Sequence, residues 1–220
     1  PSGLLQNFKE KKIMSNVSQV RAQFISAGTA TSATALATEQ DPADGTALTL
    51  TAAATTFAGP AIGGCTVQRI TLTSGAGDDN SDVTYTVIGT DGMGNSITED
   101  ITGPTGGATV NSVLFYHTIV SITGNGAASV DITAGVLITG IHAEIWGGRT
   151  RLRGMHGVIA TADTFLFKNT SSTGDNVMIL TADAGDLDPY IPDDGVLFTD
   201  GCYLPFDNTD ITGLTVYIDG

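Results

Sequence analysis

The chain has 220 residues, of which 41% are hydrophobic and 15% charged, which bounds it to a foldable protein of one or two domains. A formal net charge of −14 sets an acidic body against any phosphate backbone, so no nucleic-acid partner is expected. No apolar run approaches the roughly 20 residues of a membrane-spanning helix, and the first residues lack the apolar core of a secretory signal, so no membrane partner is expected either.

Residues 1–26 differ from the rest. Leu4, Leu5, Phe8 and Ile13 fall close to a helical stripe with Lys9, Lys11 and Lys12 among them, and this N-terminal arm is the one stretch that predicts a helix. Met14 and the residues after it also read as an ordinary start, so residues 1–13 are either an extension or the product of an upstream start. Residues 27–44 are rich in Ala, Thr, Ser and Gly. They predict an extended linker or an edge strand.

From residue 45 the grammar is that of strands. Val83 to Thr102 reads as one hairpin, with β-branched and aromatic residues alternating with Thr and Ser on both sides of a Gly/Asp/Asn turn. Further strands are predicted at 47–52, 65–73, 109–114, 117–123 and 129–133, with turn signals every eight to twelve residues, so 45–138 predicts an antiparallel sandwich. Residues 139–153, where Trp146 precedes Gly147, Gly148, Arg149, Arg151 and Arg153, are read as an interdomain segment. A second strand set at 153–160, 164–168, 176–181, 195–199, 201–204 and 214–218 predicts a smaller all-β barrel or sandwich over 154–220. A unit of that size is near the lower limit for independent stability and is expected to pack against the first domain or against copies of itself.

Little in this sequence does chemistry. His117, His142 and His156 lack metal-ligand spacing, and Cys65 and Cys202 stand alone and read as small buried hydrophobes. There is no nucleophile elbow and no phosphate-binding glycine loop, and Glu99 and Asp100 project to opposite faces of one strand. Asp78, Asn80 and Asp82 alternate as calcium-loop ligands do, but the glycine and glutamate that complete the pattern are missing. We read them as a solvated turn. The acidic loop 183–194 is read as a solvated surface that could meet a cation or a neighbour's basic arm. No cofactor and no enzymatic activity are expected. Trp146 beside the arginine cluster is the one place where an aromatic anchor adjoins fork-shaped donors, a pairing that interfaces favour. With Phe8, Lys9, Lys11, Lys12 and Arg21 of the arm, Trp146, Arg149, Arg151 and Arg153 are the candidate contact residues.

Three runs carry a resemblance: Arg69 to Asp79, Val83 to Asn95, and Glu99 to Pro104. They resemble an immunoglobulin-like sandwich module of the virion proteins of tailed bacteriophages, over roughly residues 45–135. Met155 to Ala160, Thr173 to Leu180 and Gly195 to Leu204 look like a second small β-module of phage structural proteins. The resemblance implies a head decoration (cement) protein on the capsid exterior, assembled in the host cytoplasm. Its partners would be the major capsid protein or other virion proteins and copies of itself, as a trimer at a lattice axis. A tail or fibre component, or a carbohydrate- or host-binding module, is the alternative, and no catalytic residue is carried over.

Overall fold

The computed structural model describes residues 20–51, 56–57, 65–126, 131–207 and 210–220. Every regular element in them is a strand, and the chain is all-β, as its sequence predicts. In chain order these are β1 (Val20–Ile25), β2 (Ser32–Gln40), β3 (Cys65–Ser74), β4 (Thr84–Thr90), β5 (Ser96–Thr102), β6 (Thr109–Asn111), β7 (Thr118–Gly124) and β8 (Ile132–Trp146). There follow β9 (Thr150–Ile159), β10 (Asp163–Lys168), β11 (Asn176–Ala182), β12 (Gly185–Leu187), β13 (Val196–Phe198), β14 (Cys202–Pro205) and β15 (Ile211–Asp219).

Three antiparallel sheets result. The first has the order β1-β15-β9-β12, with β13 also on β9; the second runs β11-β10-β14-β8-β3-β6, with β2 also on β8; the third is β5-β4-β7. The β4–β5 hairpin keeps one register over seven pairs, from Thr84↔Thr102 to Thr90↔Ser96. Alternation fixes that register, because a slip of one residue would turn Tyr85 and Val87, both fully buried, out to solvent.

β8 organises the molecule. β3 pairs along it from Ile132 to Glu144, while β2 takes the half around Ile132–Val136 and β14 the half from His142 to Trp146. A strand has only two hydrogen-bonding edges, so β2 and β14 must share the edge that β3 leaves free. The N-terminal half of β8 gives Ile132, Ala134 and Val136 to one core, together with Tyr85, Val87, Tyr116, Ile122, Ile70 and Leu72. The C-terminal half gives Ile141, Ala143 and Ile145 to a second core, with Phe165, Phe167, Phe198, Leu204, Leu214 and Val216. Between the halves, Val67 pairs with His142 but Arg69 with Leu137, so β8 takes up extra residues around Gly140. Gly140 has φ +79°, a left-handed conformation that a side chain would make costly by about 1–2 kcal/mol.

The structure corrects three expectations and meets a fourth in one of its two forms. Residues 20–25 of the predicted helical arm form β1, which pairs with β15 at the other end of the chain and sends Ile25 into the second core. Val20, Ala22 and Phe24 alternate with Arg21, Gln23 and Ile25, a two-residue period that a distant partner strand selects over the helical stripe of residues 4–13. Those earlier residues lie outside the described ones. The stretch read as an extended linker or edge strand contains β2, which pairs with β8 alone among the described strands and so takes the edge-strand form, with Leu36 fully buried in the first core. The predicted strand at 47–52 is not a regular strand over its described residues: it is held by the bridge Ala47↔Thr123 and by hydrogen bonds from Leu48 N to the Ile122 carbonyl and from Thr51 N to the Leu36 carbonyl, and residue 52 lies outside the described residues. The segment from 139 to 146, read as interdomain, is continuous strand in β8.

Candidate interaction surface

The outer face of the first sheet is built by three neighbouring strands, β1, β15 and β9. Leu214, Val216 and Ile218 of β15 point into the core, so Gly213, Thr215 and Tyr217 point out. The pairings Ala22↔Tyr217↔Gly154 and Phe24↔Thr215↔His156 then fix which residues share that outward face. Val158, opposite Gly213, extends it toward β12. Two glycines keep it level. The Tyr217 ring lies over Gly154, 3.5 Å from where a Cβ would stand, and the Phe24 ring lies over Gly213 at 3.3 Å.

Val20 is 50% exposed, Phe24 52% and Tyr190 86%, and Val158 and Tyr217 are exposed as well. Scattered single apolar residues are normal on a surface, but five large ones over one sheet are not. Tyr190, Tyr217, Arg153, His156 and Asp188 line an open cleft of about 600 Å³ on this side.

The arginine cluster borders the platform. Arg149 and Arg151 line a second depression, of about 330 Å³, with Leu197, Asp219 and Gly220. The guanidinium of Arg151 donates to the Asp194 carbonyl at 2.9 Å, and Thr150 donates to the Asp219 carbonyl at 3.1 Å. Arg153 sits at a bulge, since β15 pairs Tyr217 with Gly154 but Ile218 with Leu152; bulges re-aim a side chain. The acidic loop 183–194 includes β12, whose Asp186 stands opposite Val158. Basic and acidic groups therefore rim the same apolar face.

Arg21 and Trp146 meet. The Arg21 guanidinium carbon is 5.1 Å from the centre of the Trp146 ring, within the range of a cation–π contact. Trp146 packs against the second core, and Gly220 closes on its edge at 3.1 Å from a would-be Cβ. Phe8, Lys9, Lys11 and Lys12 lie outside the described residues.

A further depression, of about 500 Å³, opens between the turn at 91–95 and β8 and is lined by Asp91, Met93, Asn95, Glu144, Trp146 and Tyr203. Asp91 shapes the turn by accepting from Met93 N at 2.9 Å and Asn95 N at 2.8 Å. Burial first, then the nearby Glu144, Asp91 and Asp200 charges, raise the Tyr203 phenol. Alongside it, Phe115 stands between Arg69, 4.8 Å away, and His142, 4.7 Å away, and His142 Nε2 is 3.6 Å from Glu144.

The other sequence candidates are accounted for by structure. Asp78 is half-buried, Asn80 buried and Asp82 exposed, so the turn is not solvated throughout, and no group of three His, Cys, Asp or Glu is placed to hold a metal among the described residues. Glu99 is a clamp: it accepts from Val113 N at 2.6 Å, Leu114 N at 3.0 Å and the Tyr116 hydroxyl at 3.3 Å. Asp100 instead accepts from the Thr86 hydroxyl at 2.7 Å. Cys65 and Cys202 are both buried and unbridged, and burial pushes the Cys202 thiol up, away from reactivity. The sequence reading found the arginines but missed Val20, Phe24, Val158, Tyr190 and Tyr217. The alternation in β1 and β15 was the signal available for three of them. Compared with known proteins, the chain matches no family model, no curated protein and no solved structure.

Proposed function

We propose that this chain is a non-catalytic structural protein of a tailed-bacteriophage virion, a head decoration protein that binds the assembled capsid lattice from outside and stabilises it. The observation that carries the reading is the level, exposed platform of Val20, Phe24, Val158 and Tyr217 on a rigid sheet, rimmed by Arg149, Arg151 and Arg153. Aromatic and arginine side chains anchor interfaces because they bury much area and pair bidentately with carboxylates. The resemblance of the 69–104 hairpins to immunoglobulin-like virion modules supplies the setting. A protein that binds only the assembled lattice stabilises it by mass action, and several copies that also contact one another gain avidity.

The test is addition of the purified chain to undecorated heads. Saturable binding, with a higher temperature of genome release, is the expected outcome, and replacing Arg151 and Arg153 by glutamate should abolish it. Heads that neither bind the chain nor gain heat resistance defeat the proposal.

A tail or fibre role with saccharide binding is a second reading, favoured by the cleft that Tyr190 and Tyr217 line together with Arg153, His156 and Asp188. Aromatic faces with a few polar groups are what a sugar ring needs. Binding of the isolated chain to a glycan array, lost in Tyr190→Ala, would favour it over the first.

A further inference from the structure

We propose that β1 is a self-pairing edge: two copies of this chain join β1 to β1, antiparallel, about a two-fold axis at Ala22, and so merge their first sheets into one. The inference rests on reading the chain as a protein that assembles, and not on where it does so.

β1 ends the first sheet, and among the described residues nothing pairs with its second edge. Exposed edges are normally blunted by Lys, Pro or a bulge. β1 has no Lys, Pro or bulge: its sequence is Val-Arg-Ala-Gln-Phe-Ile, its one charge, Arg21, is drawn over the Trp146 ring, and its six pairs with β15 run from Val20↔Asp219 to Ile25↔Leu214 without a shift. It presents half-exposed Val20 and Phe24 on one face. Such an edge is a template for another strand of the same pattern.

Symmetry then chooses the register. A two-fold axis perpendicular to the sheet keeps outward residues outward, so the numbers of opposed residues sum to an even total. Centred on Ala22, it sets Val20 against Phe24 of the second copy, twice, around a small Ala22 pair. It also sets Arg21 against Gln23 of the second copy. Centring on Arg21 would oppose two guanidinium-bearing residues, and centring on Gln23 would leave Val20 without a partner. Arg21 is moreover already drawn toward Trp146, which keeps its charge off the axis. Strand self-pairing of this kind closes at two copies.

The experiment uses the full chain carrying single cysteines, since Cys65 and Cys202 are buried. In the proposed register, Cα atoms at Ala22 lie within about 4.5–5.5 Å across the axis whether or not that pair is hydrogen-bonded, inside disulfide range. Those at Phe24 are four residues out of step, roughly 13 Å, and too far apart. Under mild oxidation Ala22→Cys should therefore form a covalent dimer and Phe24→Cys should not. Light scattering should find the wild type dimeric, and Val20→Lys and Phe24→Lys each monomeric at the same concentration, with Trp146 emission unchanged to show that the fold persists. A monomeric wild type overturns the proposal, as does cross-linking that is equal at both positions or absent from both. A dimer that fails to bind heads would sink the decoration reading and leave this one standing, and a monomer that binds them would do the reverse.

Discussion

Replacing Phe167 by alanine tests whether the two cores form one cooperative unit. Phe167 lies on β10 opposite Met178 and is fully buried among Phe165, Phe198 and Leu204. Its ring accounts for about 150–250 Å² of burial, or about 4–6 kcal/mol at 25 cal/mol per Å². Measured Phe→Ala changes in cores cost about 3–5 kcal/mol. For a chain of this size that lowers the melting temperature by about 6–20 °C. The first core contains none of these residues, yet it shares β8 with the second, and β3 pairs with both halves. Loss of the second core strips packing from Ile141, Ala143 and Ile145 on the same backbone that seats Ile132, Ala134 and Val136. We therefore expect one transition, with Trp146 emission and hydrogen-exchange protection of β4 and β7 lost together at the lowered temperature. Trp146 emission that shifts while β4 and β7 amides keep wild-type protection would refute the coupling.

Three further outcomes are expected from the same structure. Glu99→Ala removes the acceptor of two backbone donors and the Tyr116 hydroxyl; because residue 113 is exposed and can hydrate, the loss should be about 1–2 kcal/mol in urea unfolding, with faster exchange at residues 113 and 114. Gly92→Ala should cost about 1–3 kcal/mol, since a Cβ there would stand 2.8 Å from Glu144 Cβ and 3.1 Å from Val67 Cγ1, and a melting temperature equal to wild type would show that the 91–95 turn is not seated on β8. The Glu39 carboxyl is raised above 4.5, first by its hydrogen bond with Asp131, then by the Asp131 charge, with burial and Asp78 adding to it. The folded state thus holds this proton more tightly than the unfolded chain, so the contribution is fully present below 4.5 and is lost as pH rises through the folded value. Glu39→Gln should raise the melting temperature at pH 7 and flatten its rise between neutral and acidic pH; an unchanged pH profile would contradict the Glu39–Asp131 contact.

Local pattern carried the elements whose partners are close in sequence. The hairpin from Val83 to Thr102 was readable because both strands and their turn lie within twenty residues, and β9, β10, β11, β14 and β15 fall within a few residues of their predicted spans. β1 was hidden because six alternating residues mean little until β15, nearly two hundred residues away, supplies the ladder. β2 was legible only as one of two alternatives, because its small side chains gave no period and only Leu36 and Ala37 are buried in it. Residues 139–146 read as interdomain, whereas β8 runs on through Gly140, at φ +79°, and gives side chains to both cores. The platform was illegible for the same reason as β1. Its residues come from 20–24, 154–158, 190 and 217, and only pairing brings them to one face. The arginines, contiguous in sequence, could be read directly.

The placement of β1 also decides how the platform is held. Its Val20 and Phe24 are attached through six pairs to β15, which is attached in turn to β9. A load applied along β1 acts in shear on the whole β1–β15 ladder at once, so those pairs must fail together, and the buried Ile25 must leave the core with them. A load applied across β1 meets the pairs one at a time. If β1 of one copy lies beside β1 of the next, sliding one copy past the other loads the ladder in shear, the orientation in which it is strongest, whereas pulling the copies directly apart loads it across the strands.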